Sequence, residues 1–261
     1  MPVNPKKSLG QNFLSDNNII KKIINVSKIS SNDVVLEIGP GTGNLTKFII
    51  SQKPKKIVVI EKDQNLANIL KKQFSNKIEI ITNDIFKMPN DFYSGKKFLI
   101  LGNLPYNIST KILTNLCLND HLSVSKMILM FQKEVAERII ADTHSKEYGR
   151  ITILSKWKFD VKKVTDVKPN SFFPKPKVDS MVLEFIPKKT IHKVKDPKNI
   201  EKITKIFFNQ RRKMIKRPIN LLFKNYQFDY KKFNINPSDR PQNIDVDRYL
   251  EIVNEYESLG S

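Results

Sequence analysis

Cysteine, histidine and long hydrophobic runs are scarce in this sequence of 261 residues. The single cysteine, Cys117, excludes an internal disulfide and a cysteine-ligated metal site, and we interpret it as a core residue. The three histidines lack the spacing of metal ligands, so no zinc site is expected. No apolar run approaches the roughly 18 residues of a membrane-spanning helix, and the first residues lack the apolar region of a signal peptide. We therefore expect a cytoplasmic protein without membrane contact.

Acidic residues are also few, with 26 Asp and Glu against 46 Lys and Arg, and the formal net charge is +20. A field of this size attracts phosphate backbones, so a nucleic acid is a candidate partner. The chain is also crowded with isoleucine and asparagine, and a compositional bias toward A/T-rich codons would raise the lysine content without any binding role. The position of the basic residues is therefore more informative than their number.

Apolar runs alternate with helical patterns over the first two thirds of the chain. Residues 15–28 predict a helix that begins at Ser15 or Asp16, both of which are good helix caps. Short runs rich in Ile, Val, Leu and Phe predict strands buried on both faces at residues 34–38, 56–60, 77–81, 97–101 and 127–131. Strands joined by crossover helices form a parallel, doubly wound sheet, so the predicted fold class is α/β and Rossmann-like.

Two further strands are predicted after the parallel set, within residues 152–164 and 180–186, and we expect them to pair antiparallel at the far edge of the sheet. After Pro187 the pattern changes to helices and loops rich in Lys and Arg. The sequence therefore predicts a catalytic domain over residues 1–187 and a smaller helical domain over residues 188–261.

A glycine-rich turn follows the first predicted strand, with Gly39, Gly41 and Gly43 at alternate positions. Such a turn lets a ligand approach the backbone, although it also occurs for structural reasons alone. Its G-x-G-x-G spacing differs from the G-x-G-x-x-G of dinucleotide sites, and no Lys-Ser/Thr pair completes a phosphate loop. A nicotinamide oxidoreductase is therefore excluded.

Acidic residues follow the next two predicted strands. Glu61 lies about twenty residues after the glycines, where an acid accepts hydrogen bonds from ribose hydroxyls. Asp84 follows the third strand and is a candidate acceptor for an adenine amine. Each residue alone also fits an ordinary polar strand end. Together they indicate an adenosine group without a pyrophosphate, and S-adenosylmethionine fits that description.

The fourth predicted strand ends in the sequence Asn103-Leu104-Pro105-Tyr106. The exocyclic amine of a nucleobase is a poor nucleophile, and it needs acceptors that turn its lone pair toward a methyl carbon. The side-chain oxygen of Asn103 and the carbonyl of Leu104 or Pro105 are such acceptors. Pro105 stiffens the turn, and Tyr106 offers a face on which a base stacks. The pattern therefore predicts methylation of an amine on a nucleobase.

The chain resembles the ribosomal RNA adenine dimethyltransferase family, most closely its bacterial small-subunit branch. Matching motifs run along the whole chain: KKSLGQNFL, LEIGPGTGNLT, VVIEKD, NDIF, GNLPYNIST, FQKEVAERIIA, YGRITIL, SFFPKPKVDS, FFNQRRKMI and DRPQNIDVDRYL. The resemblance implies that an S-adenosylmethionine-dependent enzyme dimethylates N6 of two adjacent adenosines in the 3′-terminal hairpin loop of 16S rRNA. The implied partner is 16S rRNA within the immature 30S subunit, and we expect a monomer.

The resemblance also implies roles for individual residues. It assigns cofactor contacts to Asn12, Leu14, Gly39, Glu61, Asp84 and Asn103. Gln11 lies beside them, although the sequence alone would treat this N-terminal arm as a lead into the first helix. Glu37 is expected to orient the glycine loop or the methionine amine. The catalytic residues are expected to be Asn103, Leu104, Pro105, Tyr106 and Phe172.

Two motifs are expected to contact RNA. In SFFPKPKVDS, the resemblance favours Phe172 as the residue that stacks on the flipped adenine and Phe173 as a packing residue. In FFNQRRKMIKR, the basic residues Arg211, Arg212 and Lys213 lie beside apolar positions and are expected to bind RNA. Pro218 departs from the family pattern, because it is expected to end or kink the helix that contains this motif.

Two alternatives share most of these features. A related enzyme that methylates 23S rRNA would share the catalytic half, and its choice of RNA would distinguish it. A non-enzymatic ribosome assembly factor would be expected to have lost part of the cofactor set. Gly39, Glu61, Asp84 and Asn103 are all present, so an active enzyme is favoured.

Overall fold

A seven-stranded sheet organises most of the computed structural model, which describes residues 5–6, 10–224 and 226–259. Its strands are β2 (Val34–Ile38), β3 (Lys56–Glu61), β4 (Glu79–Thr82), β5 (Lys97–Asn103), β6 (Ser123–Gln132), β7 (Phe159–Val167) and β9 (Ser180–Pro187). The spatial order is β4-β3-β2-β5-β6-β9-β7, in which the first five strands are parallel and β9 is antiparallel to β6. The predicted α/β sheet is confirmed, and β9 and β7 lie at its far edge as expected.

Helices connect the parallel strands in the way a doubly wound sheet requires. They are α1 (Asn17–Ser27), α2 (Asn44–Ser51), α3 (Gln64–Phe74), α4 (Asn90–Tyr93) and α5 (Ser109–Leu118). Val35, Ile100 and Met127 in the central strands are fully buried, because helices cover both faces of a parallel sheet. This packing places the carboxyl ends of the parallel strands along one edge.

The residues before α1 form a short strand that pairs with a second short strand far along the chain. Strand β1 (Phe13–Leu14) is antiparallel to β8 (Phe172–Phe173), with Leu14 opposite Phe172. Asp16 caps α1 as predicted, since its Oδ1 accepts from the Asn18 amide at 2.9 Å. Residues 7–9 of the KKSLGQNFL motif lie outside the described residues.

The chain divides into two compact units. The first consists of the described residues up to Ala136 and of Val161–Pro187, and the second consists of Glu137–Asp160 and the described residues from Lys188 onward. The division after Pro187 agrees with the predicted boundary. Residues 137–160 were assigned to the catalytic domain, and the structure groups them with the C-terminal unit instead. The predicted boundaries therefore need correction at this insertion.

Helices form the second unit: α6 (Lys133–Ile140), which begins in the first unit, α7 (Arg150–Lys158), α8 (Pro197–Phe208), α9 (Lys216–Leu222) and α10 (Val246–Ser258). Helices α7, α8 and α10 pack on one another, and the rings of Phe207 and Tyr249 meet edge to face at 5.3 Å. Within the described part of the chain, no helix has the length and apolar character needed to cross a membrane.

Two predictions about this region were wrong. The strand predicted over residues 152–164 is helical up to Lys158, and β7 begins only at Phe159. The helix around FFNQRRKMIKR ends at Phe208, before the basic residues, so Pro218 interrupts nothing. Pro218 lies instead in the first turn of α9, where a missing backbone N–H leaves no hydrogen bond unmade.

Candidate active site

A cavity of about 210 Å³ lies in the first unit, where β2, β3 and β5 end. The glycine loop, the strand ends, the turn after β5 and the N-terminal arm all contribute to its wall. The lining residues are Gly10, Gln11, Asn12, Phe13, Leu14, Glu37, Gly39, Pro40, Gly41, Thr42, Asn44, Leu45, Glu61, Lys62, Leu66, Asn103, Leu104, Pro105, Tyr106, Asn107 and Ile108. The structure thus brings together most of the residues that the sequence predicted for the cofactor.

The glycine loop has a backbone that other residues would strain. Gly39 and Gly41 have φ values of +67° and +58°. A Cβ on Gly41 would lie 2.7 Å from Cδ1 of Phe13, whereas a Cβ on Gly39 would meet only Cδ of Pro105, at 3.9 Å. Gly41 is therefore required for packing of the arm, while Gly39 keeps the cavity open beside the turn after β5.

Glu61 ends β3 and builds part of the cavity wall. Its Oε2 accepts from the Gly41 amide at 3.2 Å, and its Oε1 accepts from the Asp63 amide at 2.8 Å. Only 7% of the residue is exposed, and this burial raises the pKa of its carboxyl. Each oxygen has a further lone pair, so the carboxyl can hold the glycine loop and accept from ribose hydroxyls at the same time.

Glu37, at the inner side of the cavity, is almost fully buried. Burial raises the pKa of its carboxyl to about 8, and the neighbouring Glu61 adds to the shift. The hydroxyl of Thr46 in α2 donates to Oε2 of Glu37 at 2.6 Å. Glu37 therefore joins the strand before the glycine loop to the helix after it, in agreement with a role in orienting the loop.

The N-terminal arm is fastened to the cavity by several polar contacts. Nδ2 of Asn44 donates to the Leu14 carbonyl at 2.7 Å. Asp63, which caps α3, accepts from Nε2 of Gln11 at 3.2 Å and forms an ion pair with Lys6 at 2.9 Å. The arm is thus a wall of the cavity and more than a lead into α1.

Asn103 lies at the end of β5 with its amide held in one orientation. Nδ2 donates to the backbone carbonyl of Asn12 at 2.7 Å, which points the acceptor Oδ1 to the other side. The phenol of Tyr106 hydrogen-bonds to the fully buried Ser180. Burial raises the pKa of Tyr106, so the phenol stays protonated at neutral pH.

The turn after β5 distinguishes the two carbonyls that the sequence left open. The Pro105 carbonyl accepts from the Ile108 amide at 3.1 Å, which closes the turn before α5. Leu104 and Pro105 both line the cavity. The Leu104 carbonyl is therefore the better candidate to accept, together with Asn103 Oδ1, from an amine in the cavity.

The sequence predicted that Asp84 contacts the cofactor, but Asp84 is not among the described residues that line the cavity. Its Oδ1 accepts from the Phe86 amide at 3.1 Å, and its Oδ2 pairs with Nζ of Lys62 at 2.9 Å. Lys62 itself lines the cavity. A contact from Asp84 to an adenine amine therefore stays a prediction, for which each carboxylate oxygen keeps a further lone pair.

The aromatic pair in the SFFPKPKVDS motif has the opposite exposure from the predicted one. Phe172 is 2% exposed and packs in the core, whereas Phe173 is 63% exposed. The predicted packing of Phe173 is therefore wrong, whereas stacking of Phe172 on a base stays a prediction and requires its buried ring to become accessible. The physical reason is the pairing of β1 with β8, which sets Phe172 opposite Leu14 and turns it into the core.

The basic motif of the second unit lies in the turn between α8 and α9. Arg212 and Lys213 are exposed, and Nη2 of Arg211 donates to the Ser145 carbonyl at 3.3 Å. Their contact with RNA stays a prediction. Exposed cations in a turn nevertheless have the access that phosphate contacts require.

Several residues that shape the site were not predicted from the sequence: Thr46, Lys62, Asp63 and Ser180. The motif EKDQNL carries a helix-cap pattern that would have identified Asp63 as the cap of α3. No pattern along the sequence pairs Thr46 with Glu37 or Ser180 with Tyr106, because these contacts depend on the tertiary fold.

Comparisons with known proteins agree with this geometry. The family model for ribosomal RNA adenine dimethylase matches residues 3–258. The chain is 51% identical over 261 residues to ribosomal RNA small subunit methyltransferase A of Pelagibacter ubique (strain HTCC1062), which covers 99% of both chains. It is 38% identical over 259 residues to the protein of the same name from Malacoplasma penetrans (strain HF-2), covering 97% of this chain and 92% of the relative.

A solved structure is similar over nearly the same length. The dimethyladenosine transferase from Plasmodium falciparum is 29% identical, superposes with a TM-score of 0.81, and covers 95% of this chain and 98% of its own. The match therefore extends beyond the sheet to the helical second unit. With its sequence, its fold and its cavity in agreement, the chain belongs to the ribosomal RNA adenine dimethylase family.

Proposed function

We propose that this enzyme transfers methyl groups from S-adenosylmethionine to N6 of two adjacent adenosines in the 3′-terminal hairpin loop of 16S rRNA. Membership in the family supports the reaction, and the full-length relatives named as small subunit methyltransferases support the choice of rRNA. The single observation that carries the proposal is the amide of Asn103. Its Nδ2 is fixed on the arm at 2.7 Å, which leaves Oδ1 as an oriented acceptor beside the glycine loop.

The residues around the cavity fit S-adenosylmethionine, the predicted methyl donor. Gly39 leaves open backbone, and Glu61 keeps lone pairs for two hydroxyls. The glycine loop does not have the G-x-G-x-x-G spacing, and no Lys-Ser/Thr pair completes it as a phosphate loop for a pyrophosphate. When bound, the cofactor supplies a methyl carbon attached to a cationic sulfur, which makes that carbon electrophilic.

The turn after β5 would prepare the amine for this transfer. Oδ1 of Asn103 and the Leu104 carbonyl would accept the two N6–H bonds, so that the nitrogen lone pair turns toward the methyl carbon. Tyr106 would hold the base by stacking, with its ring fixed through Ser180. Once the N–C bond forms and the S–C bond breaks, the nitrogen becomes acidic and its extra proton passes to water.

Dimethylation adds a geometric requirement to the same two acceptors. After the first transfer, N6-methyladenosine has one N–H left, so one acceptor must give up its hydrogen bond. The Leu104 carbonyl belongs to the backbone, whereas Asn103 is anchored through Nδ2 and keeps Oδ1 in place. We infer that the anchored Asn103 retains the remaining N–H on its Oδ1.

The wider substrate is the immature 30S subunit in the cytoplasm, reached by a monomeric enzyme. Arg211, Arg212 and Lys213 are proposed to contact the phosphates of the 16S rRNA from the turn between α8 and α9. The excess of basic over acidic residues supports binding to RNA that weakens as salt concentration rises.

The direct test uses labelled S-adenosylmethionine with unmodified 30S subunits, 50S subunits and naked 16S rRNA, followed by separation of the nucleosides. Dimethyladenosine from the 30S reaction supports the proposal. Label on 50S subunits would move the chain to the 23S branch of the family. Tight 30S binding without label would identify an assembly factor.

The variant Asn103→Ala tests the role of the amide, and we expect it to abolish transfer while 30S binding stays largely intact. The variant loses the oriented acceptor and also the anchor of the arm on the Asn12 carbonyl. Asn68→Ala, an exposed change on α3, is the matched control and should keep full activity. Full activity of Asn103→Ala would remove Asn103 from the mechanism.

A further inference from the structure

The most exposed large hydrophobic side chain in the described residues is Phe173, at 63%. Single exposed apolar side chains are common on protein surfaces, so Phe173 is informative through its position and its charged surroundings rather than through its exposure alone. Phe173 is not among the residues that line the cavity. A partner of Phe173 would therefore contact the surface outside this cavity.

The segment that carries Phe173 is fixed to the active site at both ends. At one end, β8 pairs with β1, whose residues Phe13 and Leu14 line the cavity. At the other end, Ser180 hydrogen-bonds to the phenol of Tyr106. Phe173 thus lies on a short segment that contacts both the turn after β5, where the amine is proposed to bind, and the N-terminal arm beside the cavity.

The surroundings of Phe173 are positively charged. Lys175 and Lys177 are exposed in the same segment, and prolines at positions 174 and 176 alternate with them. Exposed lysines are common phosphate contacts in nucleic-acid-binding proteins. The ring supplies a flat apolar surface, and the lysines supply charge for the backbone of a polyanion.

Resting on the proposed function, we propose that Phe173 stacks on the base next to the adenosine that occupies the cavity. The two target adenosines are adjacent, so each in turn is the neighbour of the other. Stacking would hold one base outside the cavity while its neighbour is flipped into it, which offsets part of the loss of stacking inside the RNA loop. Lys175 and Lys177 would contact the flanking phosphates.

The size of this surface favours RNA over a protein or a membrane. A stable protein interface buries about 800 Å² on each partner, far more than one aromatic ring offers. Binding to a membrane surface needs a broad apolar face, and this segment exposes only Phe173 and Val178 among lysines and prolines. A single unpaired base is the partner that matches one ring flanked by positive charge.

The test compares Phe173→Ala and Phe173→Trp with the matched control Val178→Ala, which removes another exposed apolar side chain from the same segment. Substrates are unmodified 30S subunits with intact 16S rRNA and reconstituted subunits with an abasic nucleotide in place of one target adenosine. Transfer to the remaining adenosine is measured, with kcat and KM separated. Thermal melting of each variant confirms that its fold is unchanged.

For intact subunits, we expect Phe173→Ala to raise KM about 10-fold with kcat nearly unchanged, since the variant loses the ring on which the base stacks. Phe173→Trp should keep the wild-type KM because it keeps a flat ring. For abasic subunits, the loss in Phe173→Ala should shrink to less than about twofold, because there is no base left to stack. Val178→Ala should match the wild type on both substrates.

Two results would overturn this proposal. An equal loss in Phe173→Ala on intact and abasic subunits would mean that the ring contacts something other than the neighbouring base. A Phe173→Ala enzyme indistinguishable from Val178→Ala would mean that the ring makes no contact at all. Failure of the proposed function is separate, since it would show as wild-type enzyme that leaves 30S subunits unlabelled.

Discussion

Two carboxylates follow neighbouring strands of the same sheet, yet they have different surroundings. Glu61 at the end of β3 is buried and accepts from two backbone amides. Asp84, which follows β4, is partly exposed and pairs with the ammonium of Lys62. The first is part of the frame that shapes the glycine loop, whereas the second is held by one backbone amide, that of Phe86, and by the flexible side chain of Lys62.

The pKa shifts of the two groups have opposite directions for this reason. Burial raises the pKa of Glu61, although backbone amides partly oppose the shift. Burial would also raise the pKa of Asp84, but the hydrogen bond and charge of Lys62 outweigh it and lower the pKa. A carboxylate at a strand end is thus a fixed acceptor when the backbone holds it, and an exchangeable one when a lysine does.

The largest effect is expected from Glu61→Gln. A glutamine has one acceptor oxygen, so its amide group would face either the Gly41 or the Asp63 N–H and leave it unpaired. We expect the free energy of unfolding to fall by about 1–3 kcal/mol, the usual penalty for a buried unpaired donor. We also expect cofactor binding to weaken by at least about 100-fold. The substitution disturbs the hydrogen bonds that hold the glycine loop and also removes one of the two oxygens that could accept from ribose. Urea denaturation and calorimetric titration measure the two effects.

The matched change at the other carboxylate is Asp84→Asn. An asparagine still accepts from the Phe86 amide, and the ion pair that it loses is partly exposed. Its unfolding free energy should therefore change by less than about 1 kcal/mol. Equal destabilisation by Glu61→Gln and Asp84→Asn would contradict the distinction between a fixed and an exchangeable acceptor.

A second prediction concerns Glu37, which shares the buried side with Glu61. Its pKa is about 8 in the fold against an ordinary value of 4.5, so the folded state holds a proton that the unfolded chain releases between these values. The stabilisation from the neutral carboxyl is complete below pH 4.5 and is lost as the pH rises through 8. The loss is about 1.4 kcal/mol for each pH unit at its steepest.

The variant Glu37→Gln keeps a neutral acceptor for Thr46 and removes the titration. The stability of the wild type relative to Glu37→Gln should therefore fall between pH 5 and 8 in urea denaturation. Glu79→Gln, at an exposed position in β4, is the control and should leave the pH profile of the wild type unchanged. Parallel profiles for the wild type and Glu37→Gln would mean that Glu37 is already ionised inside the fold.

Local signals explain most of what the sequence predicted correctly. The cap at Asp16 and the apolar run of β2 depend on neighbouring residues only, and both were correct. Helix α7 was mistaken for a strand because Ile151, Ile153, Leu154 and Trp157 are all buried, so the sequence lacks the polar face that marks an amphipathic helix. Because α7 is buried on most of its surface, its sequence does not show the amphipathic pattern that predicts a helix.

Contacts between distant residues explain the errors at the site. The exposure of Phe172 and Phe173 depends on pairing with Phe13 and Leu14, which lie far away in the sequence. The Asn103 amide was correctly placed at the end of β5, but its anchor on the Asn12 carbonyl was not predicted. Sequence patterns therefore identified the chemical groups at the site, whereas their orientations required the structure.

The smallest effect is expected from Lys62→Met, which keeps the apolar stem and removes the ammonium from Asp84. Exposed ion pairs contribute about 0–1 kcal/mol, so the stability should hardly change. If Asp84 accepts from the adenine amine, releasing it should strengthen cofactor binding by a few fold. Removing a positive charge near a cationic cofactor predicts the same direction, so Lys62→Met alone does not separate the two explanations.

A double-mutant cycle with Asp84→Asn separates them, with binding measured by calorimetry at two salt concentrations. If Asp84 is the acceptor, the gain from Lys62→Met should vanish in the Asp84→Asn background, because no carboxylate is left to release. A gain that persists in that background and shrinks as salt is added would instead reflect charge repulsion, which ions screen. That second result would remove Asp84 from the adenine site and leave Glu61 as the acidic contact to the nucleoside.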